Sequence, residues 1–158
     1  IIWKEGFCMS TMETFKATTK ILEGGLSVES SSRNFKVILD EPKSLGGTDK
    51  GMNPVELVLC ALGGCQGIVA KAYAKHKGID LKDFWVELEG DLDVRGFKGD
   101  PNVRPGFQEI RFKMHMKTDA SPEQAKEFAK FIENTCPVGD SLANGVSLKL
   151  SDVVVEKP

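Results

Sequence analysis

Met52-Asn53-Pro54-Val55-Glu56-Leu57-Val58-Leu59-Cys60-Ala61-Leu62-Gly63-Gly64-Cys65-Gln66-Gly67-Ile68-Val69-Ala70 is the stretch whose reading decides the fold. Asn53 is a good N-cap, Pro54 suits the first helical position, and Glu56 follows Asn53 at capping-box spacing. The pattern predicts a helix that continues to about Lys77 and stops at Gly78. Its first part is apolar nearly all round, which predicts a buried spine. Gly63 and Gly64 each cost about 1 kcal/mol against Ala in a helix interior. Their presence implies close approach by another backbone, such as a partner helix.

Before the helix, Phe15, Ala17, Thr19 and Ile21 lie in an alternating stretch over residues 14–22, and Leu26 to Ser30 resumes the alternation after the turn signal Gly24-Gly25. This is hairpin patterning. Phe35 to Leu39 makes a third strand, ended by Asp40-Glu41-Pro42, and the glycine-bearing segment 43–52 reads as a loop. After the helix, 84–94 and 107–117 read as strands, with a bulge expected near Glu109 where the alternation slips. Ser121-Pro122-Glu123-Gln124 opens a second amphipathic helix. Asn134-Thr135 breaks its pattern, Cys136-Pro137 restarts a short helix to Ala143, and 146–155 reads as a closing strand. Three strands, helix, two strands, two helices and a strand indicate an α+β fold with antiparallel sheets around a long central buried helix.

The length, 158 residues, fits one domain, here 12–158. The opening Ile1–Cys8 lacks an initiator Met, with Met9 and Met12 just downstream; residues 1–11 are expected to be a disordered or added leader. A net charge of −2 without a basic stripe argues against nucleic acid as the main partner. No uninterrupted apolar run approaches the roughly 18–20 residues of a bilayer span, so no membrane partner is expected.

The four cysteines are Cys8, Cys60, Cys65 and Cys136. With no recognisable secretory signal the cytoplasm is the expected compartment, where structural disulfides are rare. The thiols are therefore buried hydrophobes or reactive groups. No Cys-x-x-Cys occurs, and His76 and His115 stand far apart, so a structural zinc site is not expected. Cys65 shares a helical face with Val58, Ala61, Leu62, Ile68, Val69 and Ala72. Cys60 lies about 140° round the helix and reads as inert packing. Cys136 precedes Pro137 at a helix start, where backbone N–H groups and the helix dipole favour a thiolate and should lower its pKa. One thiol on a buried helix and one at a helix start suit a redox pair, in which the first reduces a peroxide and condenses with the second. His76 and His115 read as solvated or packing residues.

Asn53-Pro54-x-Glu56-Leu57, Ala61-Leu62-Gly63-Gly64-Cys65 and Cys136-Pro137-Val138 resemble the OsmC/Ohr family of thiol-dependent peroxidases. Asp40-Glu41-Pro42 and Gly46-Gly47-x-Asp49-x-Gly51 resemble its OsmC-like members. The resemblance implies an intertwined homodimer with active sites at the interface. It implies Cys65 as peroxidatic thiol, Cys136 as resolving thiol, a small organic hydroperoxide as substrate, no bound cofactor, and an external lipoyl-type dithiol as reductant. The family's peroxidases carry a carboxylate directly after Asn-Pro, where this chain has Val55; Glu56 is the nearest equivalent, about 180° round the helix from Cys65. They also carry an activating arginine near the first hairpin. Arg33 is the nearest candidate here, with Arg104 and Arg111 as fallback cations. The competing expectation is a dimer without peroxidase activity whose interface pocket takes a small hydrophobic or thiol-containing ligand.

Overall fold

The computed structural model describes residues 12–157; the expected leader and Cys8 lie outside the described residues. The chain divides after Pro54 into two compact units.

The N-terminal unit is an antiparallel meander of β1 (Thr18–Ile21), β2 (Val28–Ser32) and β3 (Phe35–Leu39). Gly24 and Gly25, with φ of 78° and 73°, form the expected turn between β1 and β2. The register pairs Ile21 with Val28 and Val28 with Leu39. Beyond β3 the chain folds around one buried carboxylate. Asp40 accepts hydrogen bonds from the backbone N–H groups of Glu41, Thr48 and Lys50 at 2.9, 3.0 and 3.2 Å, and from the Thr48 hydroxyl. A turn at Lys43–Leu45 lies within this loop. A Cβ at Gly47 would stand 1.8 Å from the Glu41 carbonyl oxygen, so the closed loop requires glycine there.

The long helix α1 (Pro54–Tyr73) leads into the second unit. The helix ends at Tyr73, short of the expected Lys77; a separate turn over Lys75–Lys77 follows, and Gly78, at φ 70°, closes that turn. Next come β4 (Leu81–Asp91), a single-turn helix α2 (Val94–Phe97), β5 (Glu109–Thr118), α3 (Pro122–Thr135) and α4 (Pro137–Asn144). Ser121 and Gln124 form the expected capping box at the start of α3. β4 and β5 pair as a long antiparallel ribbon, with Phe84 opposite Met116 and Val86 opposite Met114. The core combines Val69, Ala70 and Ala74 with Ile79, Phe128 and Ile132, flanked by Tyr73, Phe84, Met114 and Phe131. Burying a side chain such as Ile132 or Phe128 contributes about 1.5–3 kcal/mol each. The α+β class, the antiparallel sheets and the long helix all agree with the sequence reading.

Several local expectations are corrected. Residues 146–155 form no strand: Val146, Leu148, Leu150, Val153, Val154 and Val155 are exposed, without a partner strand among the described residues. Alternation marks strand potential, but a strand needs an edge to pair with. No bulge occurs near Glu109, which pairs in register with Asp91; the irregularity lies instead between Leu81 and Asp83. The slip in alternation arises because Phe107 precedes β5 and lays its ring over Gly90, where a Cβ would come within 2.4 Å of it.

The helix α1 is buried along one stripe rather than all round. Leu62, Gln66, Val69 and Ala70 are covered, Cys60 and Ala61 are exposed, and Ile68 is 72% exposed. Cys60 is thus no packing residue within its own chain. At 20 residues α1 is also long and apolar enough to match a bilayer span, contrary to the sequence reading. Val69 and Ala70 of its stripe belong to the core shared with Ile79, Phe128 and Ile132, as in a core helix. Gly63 admits the Leu88 side chain, 2.9 Å from where a Cβ would sit, so the close neighbour is a strand side chain and not a backbone. Gly64 has nothing comparably close.

Candidate active site

The sequence separates Cys65 and Cys136 by most of the C-terminal unit, and the fold brings them together. Cys65 stands midway along α1, at the border between the covered residues Leu62 and Val69 and the exposed residues Ala61 and Ile68. It is half-buried. Cys136 is the joint between α3 and α4 and serves as the N-cap of α4, with φ −79° and ψ 108°. Extended backbone at this residue breaks the helical path, and Pro137 then opens α4 at its first position. The Cys136 side chain is buried, 1% exposed, and its Sγ accepts the Gly139 N–H at 3.3 Å. Cys65 is near enough to act on the Cys136 thiol electrostatically. Both cysteines are free thiols.

This geometry reverses one electrostatic expectation. The pKa of Cys136 is raised, not lowered. Burial is the largest cause, followed by the interaction with Cys65; the Gly139 and Val138 N–H groups oppose the rise without overcoming it. Desolvating a small anion costs more than two amide dipoles return. Cys136 is therefore held as a thiol, with its proton available to the neighbouring sulfur.

None of the remaining sequence candidates is among the groups that shift the Cys136 pKa. Glu56 is exposed in the first turn of α1. There its charge complements the helix dipole, and nine residues of helix put it on the opposite side of α1 from Cys65. Arg33 belongs to the N-terminal unit, in the turn between β2 and β3. Its φ is 55°, and its guanidinium lies 4.9 Å above the Phe35 ring. Arg111 is occupied on the ribbon by Asp91, at 3.2 Å, and Glu109, at 3.1 Å. Those carboxylates raise its pKa further. His76 is exposed after α1. His115 stacks on Trp85, with ring centroids 4.5 Å apart, and its Nε2 lies 3.1 Å from a Glu87 oxygen without hydrogen-bond geometry.

A cavity of about 860 Å³ runs along α1, the start of β5 and the α3–α4 joint. Val58, Leu62, Ile110 and Phe112 give it apolar walls, and Arg104 also lines it. Leu62 and Gly139, which flank Cys136, line one part of it, although neither sulfur does. Gln66 also lines it. This side chain is 1% exposed, and its Oε1 has no hydrogen-bond partner. Sequence reasoning passed over Gln66, yet a signal was present: Leu62, Gln66, Val69 and Ala70 fall on one helical stripe, so a polar residue stood where the core should be. Among the described residues no cluster of His, Cys, Asp and Glu could hold a metal ion.

An antiparallel α+β fold with a long helix carrying one thiol, and a second thiol closing on it from the start of a later helix, defines the class of OsmC-like proteins. The sequence profile of the family described as OsmC-like protein matches residues 47–151, and the chain belongs to that family. A hydroperoxide reductase from Mycoplasma genitalium is 27% identical over 134 residues, covering 84% of this chain and 90% of that protein. The crystal structure of an OsmC-like protein from Mycoplasma pneumoniae is similar at a TM-score of 0.73 and 24% identity, over 83% of this chain and 88% of that one. An organic hydroperoxide resistance protein from Legionella pneumophila is similar at a TM-score of 0.62 and 20% identity, over 89% and 96% of the two chains.

Proposed function

We propose that this protein is a thiol peroxidase that reduces organic hydroperoxides through Cys65 and Cys136. The Cys65 thiolate attacks the terminal oxygen of the hydroperoxide. The O–O bond breaks, an alcohol leaves, and Cys65 becomes a sulfenic acid. Cys136 then attacks the Cys65 sulfur, water departs with the Cys136 proton, and a disulfide remains. An external dithiol, of lipoyl type by the family resemblance, restores both thiols, and no bound cofactor is needed. The single observation that carries this reading is the meeting of two free thiols from distant segments, one half-buried and one closed in and held protonated. That asymmetry suits an attacking thiol and a thiol that waits for it. The names of the Mycoplasma genitalium and Legionella pneumophila relatives agree with it.

The same reading includes a homodimer in the cytoplasm. Val146, Leu148 and Leu150 alternate with polar residues and lie open, as does Phe35 on the N-terminal sheet. A second copy supplies the kind of surface that such residues pair with. Arg33 is the activating cation by family resemblance, with Arg104 as the alternative, and Glu56 acts through the start of α1. Static light scattering at micromolar concentration should give twice the chain mass; a monomer would refute the dimer.

The activity is tested by following cumene hydroperoxide consumption with dithiothreitol as reductant. Turnover is expected, with loss in Cys65→Ser and a marked decrease in Arg33→Gln. Turnover that survives Cys65→Ser would refute the mechanism.

A further inference from the structure

The two sulfurs differ in how they can be reached, and this fixes how the oxidised pair must be reopened. Cys136 is 1% exposed within its own chain. Its sulfur is closed in by the Gly139 N–H at 3.3 Å, and Gly139 itself lies against Leu62 of α1. Contact with any second chain only covers more surface, so no assembly opens Cys136. Within its own chain Cys65 sits at the border of the covered stripe and retains partial solvent access. Thiol–disulfide exchange needs the incoming sulfur in line with the bond that breaks, at the sulfur it can reach.

We propose that the external thiol attacks the Cys65 sulfur, so that Cys136 is the leaving group and the mixed disulfide forms only on Cys65. This rests on the two-thiol reading above and adds the direction of its reductive half. In the step, a reductant thiolate forms a bond to Cys65 Sγ while the Cys65–Cys136 bond breaks, and the electron pair stays on Cys136. The departing sulfur already faces the Gly139 N–H, which accommodates the charge until Cys136 takes up the proton released by the dithiol. The second reductant thiolate then attacks its own sulfur in the mixed disulfide and releases the Cys65 thiolate. The dithiol is oxidised by two electrons, and both protein thiols are restored. The N-terminus of α4 thus serves the leaving group of reduction, and the same closure that keeps Cys136 protonated keeps the reductant off it.

The test forms the disulfide in wild-type protein with diamide, so that it does not depend on peroxide. Excess 2-mercaptoethanol is added, the mixture is quenched in acid after short times and alkylated under denaturing conditions, and peptides are mapped by mass spectrometry. The mercaptoethanol adduct is expected on Cys65 with alkylated Cys136, in at least about tenfold excess over the reverse isomer. In parallel, Cys136→Ser and Cys65→Ser are loaded with thionitrobenzoate in denaturant and refolded. Its release by dithiothreitol is expected to be about tenfold or more faster from Cys65 than from Cys136. An adduct mainly on Cys136, or equal release rates, would overturn the proposal and leave the peroxidase reading intact. Failure of hydroperoxide to oxidise Cys65, with diamide still joining the pair, would overturn the peroxidase reading alone. Failure of diamide to join Cys65 and Cys136 would overturn both.

Discussion

The two units of this chain are held together by different physics. The C-terminal unit packs Val69, Ala70, Ala74, Ile79, Phe128 and Ile132 into an apolar core. Among the described residues of the N-terminal unit the buried ones are Ser27, Leu39, Asp40 and Asn53, while Phe35 and Ile21 stand 66% and 80% exposed. Its organising centre is a carboxylate, Asp40, with three backbone donors and a hydroxyl around it. A core of methyl groups resists local change through packing. A polar cradle resists it through the charge of one residue, and that charge can be titrated. The unit with the apolar core is also the one that brings two thiols into contact.

The comparison is broken most severely at the chemistry itself. Cys65→Ser should lower hydroperoxide turnover at least about a hundredfold while leaving the thermal transition nearly unchanged, because removal of a nucleophile eliminates the covalent step. Turnover assays and calorimetry on the same samples check this. Next in size is the core. Ile132→Ala should destabilise by about 2–5 kcal/mol in denaturant titrations, whereas Phe35→Ala, on an open sheet face, should stay within about 0.5 kcal/mol in the monomeric protein. A large loss from Phe35→Ala would instead show that its face is covered in the working assembly.

The units should also fail at opposite ends of the pH scale. The Thr48 hydroxyl and the surrounding backbone N–H groups hold the pKa of Asp40 far below its usual 3.8. Because the folded value is depressed, its contribution is complete above 3.8 and is lost as the pH falls below that. Burial raises the pKa of Cys136 above its usual 9.0, so its contribution is complete below 9.0 and is lost as the pH rises through the folded value. Thermal melts across pH should show acid sensitivity reduced in Asp40→Asn and alkaline sensitivity reduced in Cys136→Ser. The reverse assignment would contradict the comparison. The smallest effect belongs to a helix end: Ser121→Ala removes the cap of α3 and should cost about 1 kcal/mol.

Much of the architecture was legible because its signals are local. The Ser121–Gln124 capping box, the Gly24-Gly25 turn and the Gly78 stop each depend on a few neighbouring residues. The thiol pair was legible as a motif, and its contact is what the fold added. What stayed hidden depends on long-range burial. The rise in the Cys136 pKa comes from covering that no helix-start argument contains. The alternation over 146–155 marks a strand but cannot supply the edge it pairs with. Phe107 reads as part of β5 until Gly90 shows why its ring is turned onto the opposite strand. Gln66 was visible in the helical stripe and easily overlooked beside Cys65.

The central claim is that Cys65 and Cys136 form one redox unit. It is tested most directly by adding one equivalent of tert-butyl hydroperoxide to the fully reduced protein, quenching within seconds and measuring intact and peptide masses. The expected result is the loss of two hydrogens and a peptide joined through Cys65 and Cys136, absent from Cys136→Ser, which should stop at the Cys65 sulfenic acid. Thiols that remain reduced, or a disulfide that omits either residue, would contradict it.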